Sequence, residues 1–129
     1  MRILLDTSVL IDALRSRRGR RKWLAELVEA GHTLQTSALN VGEIFAGMRP
    51  EEEARTKDFL NAVDCHDISS AVAEVAGKLQ SEWARKGRTL TLGDMMVAAV
   101  ALEQHCPIAT DNRKDFPMRE LELYPLPSE

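Results

Sequence analysis

Aromatic residues are scarce: two Trp, one Tyr and three Phe make up 5% of the 129 residues. A groove that grips single-stranded nucleic acid by stacking bases on rings needs more of them, so stacking is not the main device of this chain. Cysteine is almost absent. Cys65 and Cys106 stand far apart, without a CxxC motif or the Cys/His spacing of a zinc site, and read as structural thiols rather than a redox pair. His32, His66 and His105 are scattered, and no Ser or Cys stands in a nucleophile-elbow context, which disfavours triad chemistry. Long apolar runs are lacking as well. Residues 95–102 form the longest, far short of the roughly 20 residues that span a bilayer, and no signal-peptide pattern opens the chain. The expectation is a cytoplasmic protein with no membrane association, whose chemistry uses neither thiol nor imidazole.

What the sequence does contain is an ordinary globular balance, 44% apolar and 29% charged, at a length that suits one domain over residues 1–129. Ile3, Leu4 and Leu5 run without alternation, as in a strand covered on both faces of a parallel sheet. Helices are expected over about residues 9–15, capped by Thr7 or Ser8, and 20–30, ending at Gly31. A strand at 33–36 leads to a helix capped by Ser37 and stopped by Pro50. Residues 51–63 suit a helix, 65–68 an extended piece, and 70–86 a helix with Val72, Val75, Ala76, Leu79 and Trp83 inward. A central helix over about 93–105, a strand at 108–109, a polar turn and a last strand near 121–124 complete the chain. Short strands alternating with helices define an α/β sandwich around a mainly parallel sheet.

Against this background four acids stand in expensive places. Asp6 closes the first strand, Glu43 interrupts an apolar helix face, Asp94 begins an almost wholly apolar helix, and Asp115 precedes Phe116 in the late polar turn. Each also has a plain structural reading: Asp6 and Asp94 as helix caps, Glu43 as the partner of an arginine, and the late turn as an Asx-rich loop. Within that turn any of Asp111, Asn112 or Asp115 can face a site. In an open parallel sheet, however, ligands bind beyond the carboxyl ends of the strands, where Asp6 falls. Two carboxylates about 5 Å apart repel by roughly 3 kcal/mol at an effective dielectric near 20, and divalent cations reverse that sign. A site of oxygen donors without Cys or His suits Mg²⁺ or Mn²⁺ rather than Zn²⁺.

The net charge of −3 is unusual for a chain that meets nucleic acid, but two divalent ions would bring it to +1. Its distribution matters more. Arg15, Arg17, Arg18, Arg20, Arg21 and Lys22 form a dense basic run, opposed by Glu51, Glu52 and Glu53. The run is either a phosphate-binding surface or a solvated helix connection.

The segments Leu5-Asp6-Thr7-Ser8-Val9-Leu10-Ile11, Gly42-Glu43-Ile44, Asp94-Met95-Met96-Val97-Ala98-Ala99 and Ala109-Thr110-Asp111-Asn112-Arg113-Lys114-Asp115-Phe116 resemble, in order and over essentially the whole chain, the PIN-domain ribonucleases. In particular they resemble VapC-type toxins of bacterial toxin-antitoxin pairs. The resemblance implies a PIN-like three-layer sandwich and a catalytic, metal-binding set of Asp6, Glu43 and Asp94, with Asp115 as the fourth acid. Thr110 and Asn112 match polar positions beside that set, and Ser8 matches a position that orients Asp6 or a water. Asp111 stands where members often carry a non-acidic residue. Also implied are one or two Mg²⁺ or Mn²⁺ ions, endonucleolytic cleavage of transfer or ribosomal RNA through metal-activated water, a homodimer, and a cognate antitoxin that occupies the active-site groove. Trp23 and Trp83 are candidates for partner surfaces or for helix packing.

Two other readings compete. A silent binding module would keep the fold without the chemistry. A phosphatase with Asp6 as nucleophile would want a second acid two residues later, where Ser8 stands.

Overall fold

The computed structural model describes residues 1–127. Among them, four parallel strands form one sheet in the order β3-β2-β1-β4: β1 (Arg2–Leu5), β2 (Thr33–Ser37), β3 (Asp64–His66) and β4 (Ile108–Ala109). β1 is central, with Ile3 opposite Leu34 on one side and Leu5 opposite Ala109 on the other. Six α-helices flank the sheet: α1 (Thr7–Leu14), α2 (Arg20–Glu29), α3 (Ala38–Gly47), α4 (Glu53–Leu60), α5 (Ser70–Arg85) and α6 (Leu92–Gln104).

The pleat of β1 explains the layers. Successive side chains of a strand point to opposite faces. Leu4 enters a core with Val72 and Ala76 of α5 and Met95 to Ala101 of α6, while Ile3 and Leu5 enter a second core with Val9, Leu10, Leu24 and Ile44. All three β1 residues are fully buried, as their unbroken apolar run requires.

Local chemistry starts and stops the helices. Ser37 and Asn40 form a reciprocal capping box at α3, and the hydroxyls of Ser69 and Thr91 cap α5 and α6. Gly87, at φ 90°, supplies the left-handed turn after α5. α6 is apolar nearly all round because it is wedged against both α5 and the sheet.

Four local expectations need correction. α1 begins at Thr7, two residues early, because the Asp6 carbonyl already accepts from the N–H groups of Val9 and Leu10. The helix expected over 51–63 is a 3₁₀ turn at Pro50–Glu52 followed by the shorter α4, Pro50 suiting a first helical position. Val75 lies at the edge of the α5 stripe and is 44% exposed. The last strand reduces to one parallel bridge between Ile108 and Leu123; Pro125 and Pro127 have no N–H to continue a ladder. Among the described residues, no helix is long and apolar enough to cross a membrane. Both thiols are free, Cys65 exposed and Cys106 buried. Trp23 and Trp83 are half-buried against the two cores, Trp23 with its ring centroid 6.3 Å from that of Tyr124.

Candidate active site

The central strands deliver their polar residues at one edge of the sheet. Asp6 leaves β1 and Thr110 leaves β4, and the N–H of Asp6 donates to the carbonyl of Ala109 at 3.0 Å, which holds the two chain ends in register. Asp6 stands at the N-cap position of α1 but its carboxylate makes no capping bond. It turns instead to Thr110, whose hydroxyl donates to Oδ2 at 2.7 Å, and to Asn40, whose Nδ2 donates to Oδ1 at 3.1 Å. The side chain is buried, with 4% of its surface exposed.

Asn40 is the hub. Its side chain is wholly buried; Nδ2 also donates to Thr7 Oγ1 at 3.0 Å, and Oδ1 accepts from the N–H and hydroxyl of Ser37 at 3.2 and 2.6 Å. Thr7 in turn donates its hydroxyl to Glu43 Oε1 at 2.7 Å. One continuous polar chain thus fixes the first acid and the second. On the far side Thr91 caps α6 by accepting from the N–H of Asp94 at 3.1 Å. Asp115, half-buried, ends the 3₁₀ turn Arg113–Asp115 beyond β4.

Electrostatics ties the four together. Burial pushes the Asp94 carboxyl above its ordinary range, the Thr91 hydroxyl pulls it back, and the charges of Asp6, Asp115 and Glu43 push it up again. Burial also raises Asp6, against hydrogen bonds from Thr110 and the N–H of Thr7, with Glu43 adding to the rise. Lys and Arg are missing from the largest influences on either acid. Among the described residues none of the four makes an ion pair.

The other candidates separate. Asp111 is turned away and clamped: Arg20 Nη2 and Nη1 reach its two oxygens at 2.8 and 3.3 Å, and Arg18 lies 3.1 Å away. Burial raises its pKa, but the hydrogen bonds and charge of Arg20, helped by Arg18, win and hold it below the usual range. Arg20 is therefore no RNA contact, being 1% exposed and spent on Asp111. Arg15 pairs with Glu52, Arg18 with Asp12 and Asp111, and Arg21 reaches the carbonyl of Leu14, so the six residues of the basic run do not act as one continuous surface: Arg20 is buried, while Arg15, Arg17 and Arg21 turn to a separate cleft. Arg17 and Lys22 are exposed. Among the described residues the Ser8 hydroxyl shows no hydrogen bond to Asp6; it accepts weakly from the N–H of Asp111 at 3.5 Å. Asn112 is exposed, and its N–H donates to Thr110 Oγ1 at 3.0 Å.

Asn40, Thr7 and Thr91 were not anticipated. Asn40 had a legible signal: a polar residue three positions before Glu43, hence on the same helix face.

Metal-binding capacity rests on donor chemistry. The gathered groups are hard oxygen donors with no compensating cation, which suits Mg²⁺ or Mn²⁺. Among the described residues no three acidic, His or Cys side chains already stand close enough to form a ready-made ligand set. Each acid is instead held by its own hydroxyl, amide or turn.

A parallel α/β sheet with the buried Asp6 at the carboxyl end of its central strand, and the exposed Glu43 and half-buried Asp94 and Asp115 on the elements around it, defines the class. The PIN domain model matches residues 3–119, and the chain belongs to that family. Ribonuclease VapC10 of Mycobacterium tuberculosis is 32% identical over 118 residues, 92% of this chain and 88% of that protein. Among solved structures, VapBC2 from Rickettsia felis, bound to a DNA fragment from its promoter, superposes with a TM-score of 0.81 at 22% identity, covering 96% of this chain and 98% of its own. A toxin-antitoxin complex from Klebsiella pneumoniae aligns with a TM-score of 0.72 at 27% identity, over 94% and 99% of the two chains.

Proposed function

We propose that this chain is a VapC-type toxin, a divalent-metal-dependent endoribonuclease that acts in the cytoplasm and is held in check by a cognate antitoxin. The observation that carries the reading is the gathering of Asp6, Glu43, Asp94 and Asp115 within electrostatic reach of one another, Asp6 and Glu43 joined through one hydrogen-bonded chain, with none of the four in an ion pair among the described residues. A divalent cation among these acids would turn their mutual repulsion into attraction. The ribonuclease name of the Mycobacterium relative and the antitoxin-bound state of the Klebsiella neighbour support the activity and the partner.

Asp6, Glu43, Asp94 and Asp115 are the residues that would hold one or two Mg²⁺ or Mn²⁺ ions. When bound, the metal supplies Lewis acidity, which polarises a phosphodiester and makes water a better nucleophile at neutral pH. The chain's part is positional. Thr110 and Asn40 occupy both oxygens of Asp6 and fix its plane, and Thr7 holds Glu43, so these two donors are oriented, while the set as a whole would have to draw together around a metal. Both oxygens of Asp6 are engaged by Thr110 and Asn40, which disfavours Asp6 as a nucleophile, and the proposed reaction is direct hydrolysis without a covalent protein intermediate. Homodimerisation, and transfer or ribosomal RNA as the substrate, complete the proposal.

The test is cleavage of total RNA by the purified chain in Mg²⁺ or Mn²⁺, beside Asp94→Asn and Asp6→Asn. Equal cleavage by the variants would sink the reading. Calorimetric titration with Mn²⁺ separates it from a silent binding module, for which no heat dependent on Asp94 is expected.

A further inference from the structure

Away from the carboxylates, five arginines converge on one open cavity of about 320 Å³. Arg15 is the C-cap of α1, Arg17 lies in the following turn, Arg21 is in the first turn of α2, Arg49 precedes the 3₁₀ turn, and Arg55 lies on α4. Glu52 gathers three of them. Its Oε1 accepts from the N–H of Arg49 at 2.8 Å and from Arg49 Nε at 3.3 Å and lies 3.7 Å from Arg15, while Oε2 lies 3.5 Å from Arg55. The Glu52 side chain is 8% exposed, whereas those of Arg49 and Arg55 are 68% and 61% exposed.

This arrangement is a built one. Like charges brought together repel, and one carboxylate among five guanidinium groups leaves a large positive excess facing the cavity. Glu52 needs at most one or two of the donors of each arginine, so most of the planar N–H forks remain available. Such forks match phosphate oxygens bidentately, and all the cations lining the cavity are Arg rather than Lys. No aromatic ring lines it, so it would grip backbone rather than stack bases.

Its place relative to the acids points to the ligand. α1 begins at Thr7, which holds Glu43, and its C-cap is Arg15. Eight residues of helix at about 1.5 Å each set the two ends about 12 Å apart. We propose that the arginine cleft is a second RNA contact, which binds a phosphodiester of the substrate strand about one helix length (~12 Å) from the carboxylates. The inference rests on the ribonuclease reading for its substrate and deepens it.

The experiment measures binding of a fluorescein-labelled oligouridylate to the full chain by anisotropy in EDTA, across a salt series. Without divalent metal the readout is independent of cleavage. Arg17→Gln/Arg21→Gln and Arg49→Gln/Arg55→Gln are compared with Lys78→Gln/Arg85→Gln, a pair on α5 that removes the same charge. Each cleft pair should weaken binding about 10-fold or more and lower the salt slope by about 1.4, at about 0.7 per phosphate contact on a single strand. The α5 pair should bind as the wild type does. In Mg²⁺, the cleft pairs should raise KM for cleavage with kcat unchanged.

Wild-type affinity in the cleft variants overturns the proposal, as does an equal loss in the α5 pair. A polyglutamate peptide that binds as tightly as the RNA, with the same dependence on the arginines, reassigns the cleft to an acidic protein and also overturns it. Cleft-dependent RNA binding by a chain that never cleaves RNA sustains the contact and removes the nuclease reading instead.

Discussion

Asp6 and Asp94 on one side, and Asp111 and Glu52, each in its own setting, on the other, are carboxylates treated in opposite ways. Burial raises the first two, and the nearest charges are other acids. Asp111, only one residue from the Thr110 that holds Asp6, is drawn down by Arg20 and Arg18. Glu52 is drawn down first by the N–H of Arg49, then by the side chains of Arg49 and Arg15. An acid with its cation already in place has a structural task, joining elements or gathering arginines. An acid denied one is poised for a ligand. The acid-rich edge and the arginine-rich cleft are therefore complementary, one short of positive charge and the other in excess of it.

The largest effect that can break this contrast is on activity. Asp94→Asn should lower RNA cleavage in Mn²⁺ by about 10³-fold, since a metal-held phosphodiester depends on several kcal/mol of charge stabilisation. Full activity would place Asp94 with the structural acids. Asp111→Ala should do the converse: Arg20 is left buried without its partner, so urea denaturation should show a loss of about 3 kcal/mol, the range for removing one member of a buried pair. A loss near zero would mean that the clamp is not structural.

Asn40→Ala tests the link between the acids. It strips one hydrogen bond from Asp6 and one from Thr7, and should reduce stability by about 1–3 kcal/mol and cleavage by about 10-fold through misplaced donors. Cleavage at the wild-type rate in a destabilised variant would separate the network from the chemistry.

The smallest effect is in pH dependence, read by thermal melting in EDTA. Asp94 has a raised folded pKa, so its contribution is fully present below the ordinary value of 3.8 and is lost as pH rises through the raised one. Asp94→Asn should therefore melt higher than wild type at pH 7, with the gap closing on acidification. Asp111 has a lowered pKa, so its contribution is present above 3.8 and is lost as pH falls through the lowered value. Asp111→Asn should melt lower at pH 7, and this gap too should close towards acid. Gaps of the same sign would refute the contrast.

Most of the fold was legible because its signals are local. The run Ile3 to Leu5 marks a doubly covered strand, Ser37 a cap, and Met95 to Leu102 a central helix. Boundaries slipped where a backbone carbonyl rather than a side chain starts the element, as at Asp6, or where Pro50 tightens the first turn. The last strand was over-read: residues 121–124 look like a strand in sequence, but only one bridge forms, and Pro125 and Pro127 cannot extend it. Among site residues, the four acids could be named from their unusual placement and from the family motifs. Asn40 stayed hidden because a buried amide becomes informative only when its partners, 34 and 33 residues away, are known.

The sequence by itself determined which groups are available: hard oxygen donors, few rings, no reactive thiol, and short strands that must run parallel between helices. Only the tertiary structure decided which charges meet. Asp111 and Asp115 are four residues apart in one polar turn, yet one is clamped by a buried arginine and the other lies within electrostatic reach of Asp94. Neighbouring arginines likewise part, Arg20 into the protein and Arg21 to the rim of a cleft. Charge interactions fall off with distance and strengthen away from water, so the same residue types acquire opposite roles once packing sets their neighbours and their exposure.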